Sequence, residues 1–218
     1  MSINTVIFDM DGLLIDSEPL WYEAGSELLA NYGKRLTYEE YNVTVGLRTK
    51  EWIEHWFRYF NLTKADPEEA EKEMIDLVIN KVEQKGKILP GVEYIFNYFL
   101  KKEFKIGLAT SSPLRLADVA INKMGIRPLL QAISSAEFLP FGKPHPQVYL
   151  DCAAALGSNP VECLCFEDSF NGMIAAKAAK MKCVVVPHIN ELKMEKWGAA
   201  DMKISSLQNF NDILMQRL

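Results

Sequence analysis

A chain of 218 residues, 49% of them hydrophobic, suits one large domain, or one domain carrying a smaller insertion, around a real core. The formal net charge of -5 and pI near 5.4 provide no basic field for nucleic-acid phosphates, which argues against a nucleic-acid partner. No apolar run approaches the roughly 20 residues of a membrane span, and the N-terminus has no basic stretch followed by an apolar one and a cleavage site, so no membrane partner is expected and a cytoplasmic monomer is.

The first element is a short apolar run, Val6, Ile7 and Phe8, that fits a buried strand and ends on Asp9-Met10-Asp11-Gly12. Carboxylates two positions apart at a strand end raise each other's pKa or call for a cation, and that cost marks the pair as a functional site rather than an acidic turn. Asp16 or Ser17 can cap a following helix over 18–32, with Pro19 in its first turn and Gly33 as its stop. Thr37-Tyr38-Glu39-Glu40 has the capping-box pattern for a short second helix, Gly46 interrupts, and 48–60 is helical again. Asp66-Pro67 opens a long helix to about Gly86. The segment 17–86 thus holds several helices and no clear strand.

Beyond Pro90-Gly91 a helix is expected over 92–102, and then strands and helices alternate. Apolar runs at 105–110, 132–135, 162–166 and 183–186 are separated by amphipathic segments at 114–124, 147–156 and 171–181. This alternation implies a mainly parallel, doubly wound α/β sheet, a Rossmann-like core with helices on both faces. About a hundred residues separate the first strand from the second, where a strand-helix-strand unit takes about thirty. The surplus reads as an inserted all-helical cap over 17–86, leaving 1–16 and 87–218 as the core. Cys152, Cys163, Cys165 and Cys183 lack zinc-type spacing and read as small core residues in a reducing compartment. His55, His145 and His188 are scattered, and none has a neighbour that suits a metal ligand or a triad member.

In an open parallel sheet the ligand crevice lies at the carboxyl ends of the strands. The residues closing the apolar runs are Asp9 and Asp11, then Thr110-Ser111-Ser112, then Gly142-Lys143-Pro144, then Glu167-Asp168. Several carboxylates gathered at one place imply a hard divalent cation, and oxygen ligands with room for water suit magnesium. Lys143, stiffened by Pro144 and Pro146, is a fixed cation able to bind a phosphoryl oxygen; Thr110 and Ser111 can hydrogen-bond the same group. Ser169 and Asn171 can cap a helix or brace the metal loop. The pair Gly142-Lys143 is no nucleotide phosphate loop, because Pro144 follows it and Glu137 stands where that loop needs glycine.

These residues, in this order, resemble the four motifs of the haloacid dehalogenase-like hydrolase superfamily: Asp9-Met10-Asp11-Gly12, Thr110, Lys143 and Glu167-Asp168. The resemblance spans essentially the whole chain. Phe8 through Pro19, and Lys143 through Tyr149, are similar to sugar-phosphate phosphatases near the β-phosphoglucomutases, notably those acting on 2-deoxyglucose 6-phosphate and hexitol phosphates. It implies a magnesium-dependent hydrolase of small sugar or sugar-alcohol phosphate monoesters. Asp9 would attack phosphorus and become an aspartyl phosphate, and Asp11 would protonate the leaving oxygen and then deprotonate water. Magnesium would be held by the Asp9 side chain, the Asp11 main-chain carbonyl and Asp168, with Glu167 acting through water, while Thr110, Ser111 and Lys143 hold the phosphoryl oxygens. An acid at position 11 separates the chain from dehalogenases of the superfamily. Selectivity is expected from Glu18, Trp21, Gly46, Leu47, Arg48, Lys50 and Trp52 in the cap. A phosphoglucomutase-type transfer is the alternative, weakened because the mutases carry histidine in place of Trp21 and an arginine one position after Arg48. A receiver-type signalling domain is the remote one, being about half as long, without the insertion, and phosphorylated on a middle strand.

Overall fold

Period-two burial turns the short apolar runs into strands. In β1 (Thr5–Phe8), Val6 and Phe8 enter one core and Ile7 the other, and every residue is buried. The computed structural model describes residues 2–218. After β1 come a two-residue strand β2 (Ile15–Asp16) and four helices, α1 (Glu18–Asn31), α2 (Tyr38–Asn42), α3 (Thr49–Tyr59) and α4 (Pro67–Lys85), before a second two-residue strand β3 (Lys87–Ile88). The chain continues as α5 (Val92–Leu100), β4 (Lys105–Thr110), α6 (Leu114–Met124), β5 (Ala132–Ser135), α7 (Gln147–Ala155), β6 (Cys163–Glu167), α8 (Phe170–Ala178), β7 (Lys182–Val185), β8 (Met202–Lys203) and α9 (Asp212–Met215).

Six strands form one parallel sheet in the order β5-β4-β1-β6-β7-β8. The chain winds outward from β1 first through β4 and β5 and then, on the other side, through β6, β7 and β8, which places the switch of direction at β1. Phe8 is in register with both Leu108 and Phe166, so Asp9, Thr110 and Glu167 emerge side by side at one edge. Helices α5 and α6 cover one face through Phe96, Phe99, Leu116 and Ala120. Helices α7 and α8 cover the other through Val148, Tyr149, Met173 and Ala176. The sheet is therefore doubly wound, as the alternation of runs implied. All four cysteines are free and buried.

The helices between β2 and β3 start where local chemistry directs them. Thr37 Oγ1 accepts from Glu40 N (3.2 Å) while Glu40 Oε2 accepts from Thr37 N (2.8 Å), completing the capping box that starts α2. Asp66 Oδ1 accepts from Glu68 N (2.9 Å) at the start of α4. Gly25 on α1 makes room for the Trp52 ring of α3, since a Cβ there would lie 2.6 Å from Cζ2. Ile15 pairs antiparallel with Ile88 and Asp16 with Lys87, so the two passages between sheet and helices run side by side. Among the described residues, no helix is long and apolar enough to cross a membrane.

Sequence reasoning missed β2, β3, β8 and α9, because elements of two to four residues are too short to display a period. Ser17 does occupy the position before α1, but its hydroxyl caps nothing there and turns to Asp11 instead.

Candidate active site

The end of β1 carries Asp9, whose N–H donates to Phe166 O (3.0 Å) and so prolongs the sheet pairing by one residue. Its carboxylate meets Lys143, which is only 3% exposed. Lys143 Nζ donates to Asp9 Oδ1 (2.5 Å), Glu167 Oε1 (2.7 Å) and Ala109 O (3.2 Å), and lies 4.9 Å from the centre of the Tyr149 ring. All three ammonium donors are thereby used, as a buried charge requires. Burial opposes the Lys143 charge, yet Asp9 and Glu167 beside it outweigh burial and hold its pKa above the ordinary lysine value. Burial pushes the Asp9 carboxyl well above its usual range; Lys143 pulls it back, and Glu167 and Asp11 push it further up.

Glu167 is fully buried at the end of β6 and its two oxygens are saturated. Oε1 also accepts from Tyr149 Oη (2.5 Å), and Oε2 accepts from Asp168 N and Ser169 N (both 3.1 Å) and from Ser169 Oγ (3.0 Å). The carboxylate sits at the start of α8, where backbone N–H groups favour negative charge. Its seat exists because residue 172 is glycine: a Cβ there would lie 1.7 Å from Glu167 Oε1. With Glu167 held by five donors besides, it cannot swing away at little cost. Gly172→Ala is therefore expected to destabilise the fold by about 1–3 kcal/mol and to depress turnover by displacing Lys143. A stability loss under 0.5 kcal/mol, roughly the level of an ordinary surface change, measured by urea unfolding, would contradict that seat.

Asp168 comes next, over Gly12, where φ is +72° and a Cβ would lie 2.0 Å from Asp168 Oδ2. Burial raises the Asp168 carboxyl well above its usual range, and Asp9, Glu167 and Glu18 add to the rise. One oxygen each from Asp9, Glu167 and Asp168 falls within 4.8 Å of the others. Hard oxygen donors in a cluster whose charge is this costly fit a divalent cation such as magnesium.

Asp11 faces a different set of groups. Its Oδ1 accepts from Ser17 Oγ (2.6 Å) and Trp21 Nε1 (3.2 Å), and its Oδ2 from Ser112 Oγ (2.7 Å) and Thr110 Oγ1 (3.4 Å). Ser111 Oγ is buried in the same wall with no partner among the described residues. Glu18, at the start of α1, is pushed up to about 7, chiefly by burial and then by Asp11, with Tyr41 Oη donating to it (2.9 Å) in opposition.

These groups line a cavity of about 50 Å³ between the sheet edge and the helices that lie between β2 and β3. Asp9, Asp11, Thr110, Ser111, Lys143 and Asp168 line it from the sheet; Glu18, Trp21, Gly46, Leu47 and Trp52 line it from the segment between β2 and β3. Arg48 and Lys50, expected there, do not line it. Arg48 Nη1 donates to Ala136 O (3.2 Å) and Leu139 O (2.5 Å) and Nη2 to Glu51 Oε1 (2.7 Å), so its guanidinium clasps the loop that leads to Lys143. Lys50 is exposed, one residue further round the first turn of α3. Sequence reasoning also missed Tyr41, Thr44, Thr49, Tyr149 and Gly172. Tyr149 shares a helix face with core residues, and only its position six residues after Lys143 hinted at more.

A family model for haloacid dehalogenase-like hydrolases matches residues 3–180. Hexitol phosphatase B of Escherichia coli (strain K12) is 41% identical over 206 residues, covering 94% of this chain and 93% of that protein. The fructose-1-phosphate phosphatase YqaB of the same organism is 30% identical over 182 residues, covering 83% and 95% respectively. Among solved structures, a β-phosphoglucomutase from Clostridium difficile superposes with a TM-score of 0.87 at 23% identity, covering 98% of this chain and 96% of that one, a likeness of fold.

Proposed function

The chain belongs to the haloacid dehalogenase-like hydrolase family, and from that premise we propose that it is a magnesium-dependent phosphatase of small sugar or sugar-alcohol phosphate monoesters. The observation that carries this reading is the buried triplet in which Lys143 holds Asp9 and Glu167 at 2.5 and 2.7 Å beside Asp168. It holds in place the carboxylate that serves as nucleophile in this reading, and Lys143 is the only cation among the described residues lining the cavity. The hexitol phosphatase relative, matched over nearly its whole length, supports the substrate class.

In the proposed reaction an Asp9 oxygen attacks phosphorus in line. The bond from phosphorus to the sugar oxygen breaks, and Asp9 carries the phosphoryl group as an aspartyl phosphate. Asp11 passes a proton to the departing oxygen and later takes one from the attacking water, after which phosphate leaves and Asp9 is restored. Ser17, Trp21, Ser112 and Thr110 fix the orientation of Asp11 for both transfers. Lys143 and Ser111 hold phosphoryl oxygens. Magnesium, held by Asp9, Asp168 and the Asp11 main-chain carbonyl with Glu167 outside them, would neutralise phosphoryl charge.

The cavity between the sheet edge and the helices that lie between β2 and β3 is narrow, about 50 Å³. In this reading the cap over 17–86 moves against the core, 1–16 and 87–218, to admit substrate, with the paired strands β2 and β3 as hinge and the Arg48 clasp as its closing contact. A mutase must bind a second phosphate, and no cation faces the cavity from the cap to receive it. Four buried thiols fit a reducing compartment such as the cytoplasm.

Phosphate release from a panel of monoesters tests the reading. Activity is expected to fall at least about a hundredfold in EDTA and to return when magnesium is restored. Activity that survives the chelator would count against the cation at Asp9 and Asp168.

A further inference from the structure

Two polar side chains of the cavity wall have no task in the reaction above. Thr49 and Trp52 stand three residues apart at the start of α3, hence on one helix face, and each is 4% exposed. Thr49 Oγ1 and Trp52 Nε1 are both buried and have no hydrogen-bond partner among the described residues. An unpaired buried donor costs about 1–3 kcal/mol, so two on one wall need an explanation. Thr44, on the same wall, shows the contrast. Its hydroxyl donates to Tyr41 O (2.9 Å) and accepts from Trp56 Nε1 (3.3 Å), and is fully used inside the protein.

The chemistry of that wall is neutral and suited to hydroxyls. The indole N–H can only donate, the threonine hydroxyl can donate and accept, and Glu18, held by Tyr41, adds an acceptor. No cation lines the cavity from this side, so the part of the substrate remote from phosphorus carries no second anion. The Trp52 ring is fixed against α1 by the missing Cβ of Gly25, which keeps its donor in one place. We propose that Thr49 and Trp52 form a hydroxyl-reading subsite that selects polyhydroxylated leaving groups. Trp52 donates to one substrate hydroxyl oxygen and Thr49 exchanges hydrogen bonds with another. This deepens the phosphatase reading and rests on it.

The test compares sorbitol 6-phosphate with ethyl phosphate, which has the same ester but no hydroxyls. It uses the full chain with magnesium and takes the ratio of kcat/KM values. Thr49→Val keeps the shape and loses the hydroxyl; Trp52→Phe loses the N–H; Thr49→Ser restores a hydroxyl. Each of the first two is expected to lower the ratio about tenfold or more, and Thr49→Ser to recover most of it. Thr49→Val is the arm that decides if Trp52→Phe fails to fold. A ratio unchanged within about twofold in Thr49→Val would overturn the subsite while leaving the phosphatase reading intact. A wild-type protein that releases phosphate from neither ester would overturn the phosphatase reading and the subsite with it.

Discussion

Asp9→Asn is expected to lower phosphate release from sugar phosphates by on the order of 10³-fold or more while the protein stays folded. An amide nitrogen or oxygen cannot take the phosphoryl group as the carboxylate does, so the covalent path closes. The shape is kept, and Lys143 retains Glu167 at 2.7 Å and Ala109 O at 3.2 Å, which leaves its charge paired. The substitution even relieves a cost. Burial raises the Asp9 carboxyl well above its ordinary value of 3.8, so its ionised form is disfavoured in the folded chain, and that penalty grows as pH rises above 3.8. The Asn variant lacks this penalty. A phosphate-release assay paired with a urea midpoint on the same sample separates lost chemistry from lost structure. Turnover within about tenfold of wild type in a folded variant would remove Asp9 from the role of nucleophile.

The groups at strand ends were legible because a parallel sheet converts their spacing into proximity. Asp9, Thr110 and Glu167 each close an apolar run, and register alone brings them to one edge. Lys143 was legible for another reason, as a lone cation locked between Gly142 and Pro144 beside a row of acids. What stayed hidden depends on side-chain direction within a turn or a helix, where one position changes the outcome. Arg48 and Thr49 are neighbours, yet Arg48 reaches away to Ala136 and Leu139 while Thr49 lines the cavity. Ser111 and Ser112 are likewise adjacent, and it is Ser112 that bonds Asp11 while Ser111 Oγ has no partner among the described residues. Tyr149 and Gly172 read as core and helix, since nothing in their spacing tells that a glutamate eighteen residues after the one and five before the other shares their space. Only the folded α7 and α8 bring the three together.

Lys143→Met should do the greatest damage to stability and give it a pH dependence that identifies the cause. The ammonium is the partner of two buried carboxylates, and removing one side of a buried ion pair costs about 3–5 kcal/mol, because the remaining charges stay buried and uncompensated. Without Lys143, the pull that moderates Asp9 is gone and only burial, Glu167 and Asp11 act on it, all raising its pKa. A carboxyl whose folded pKa lies above its unfolded one stabilises the fold below the unfolded value and loses that contribution as pH rises through the folded value. The deficit of the variant relative to wild type should thus be largest in alkaline solution and shrink as pH falls toward 3.8, where the folded chain can protonate Asp9. Urea unfolding in EDTA at about pH 8 and about pH 5 measures this directly. The same variant should lose about 10²–10³-fold in turnover, for want of the charge that offsets the phosphoryl oxygens. A deficit under 1 kcal/mol at the higher pH, roughly that of a surface pair, or one equal at both values, would show that Lys143 does not carry the buried acids. The cluster at the end of β1 would then need another source of compensation.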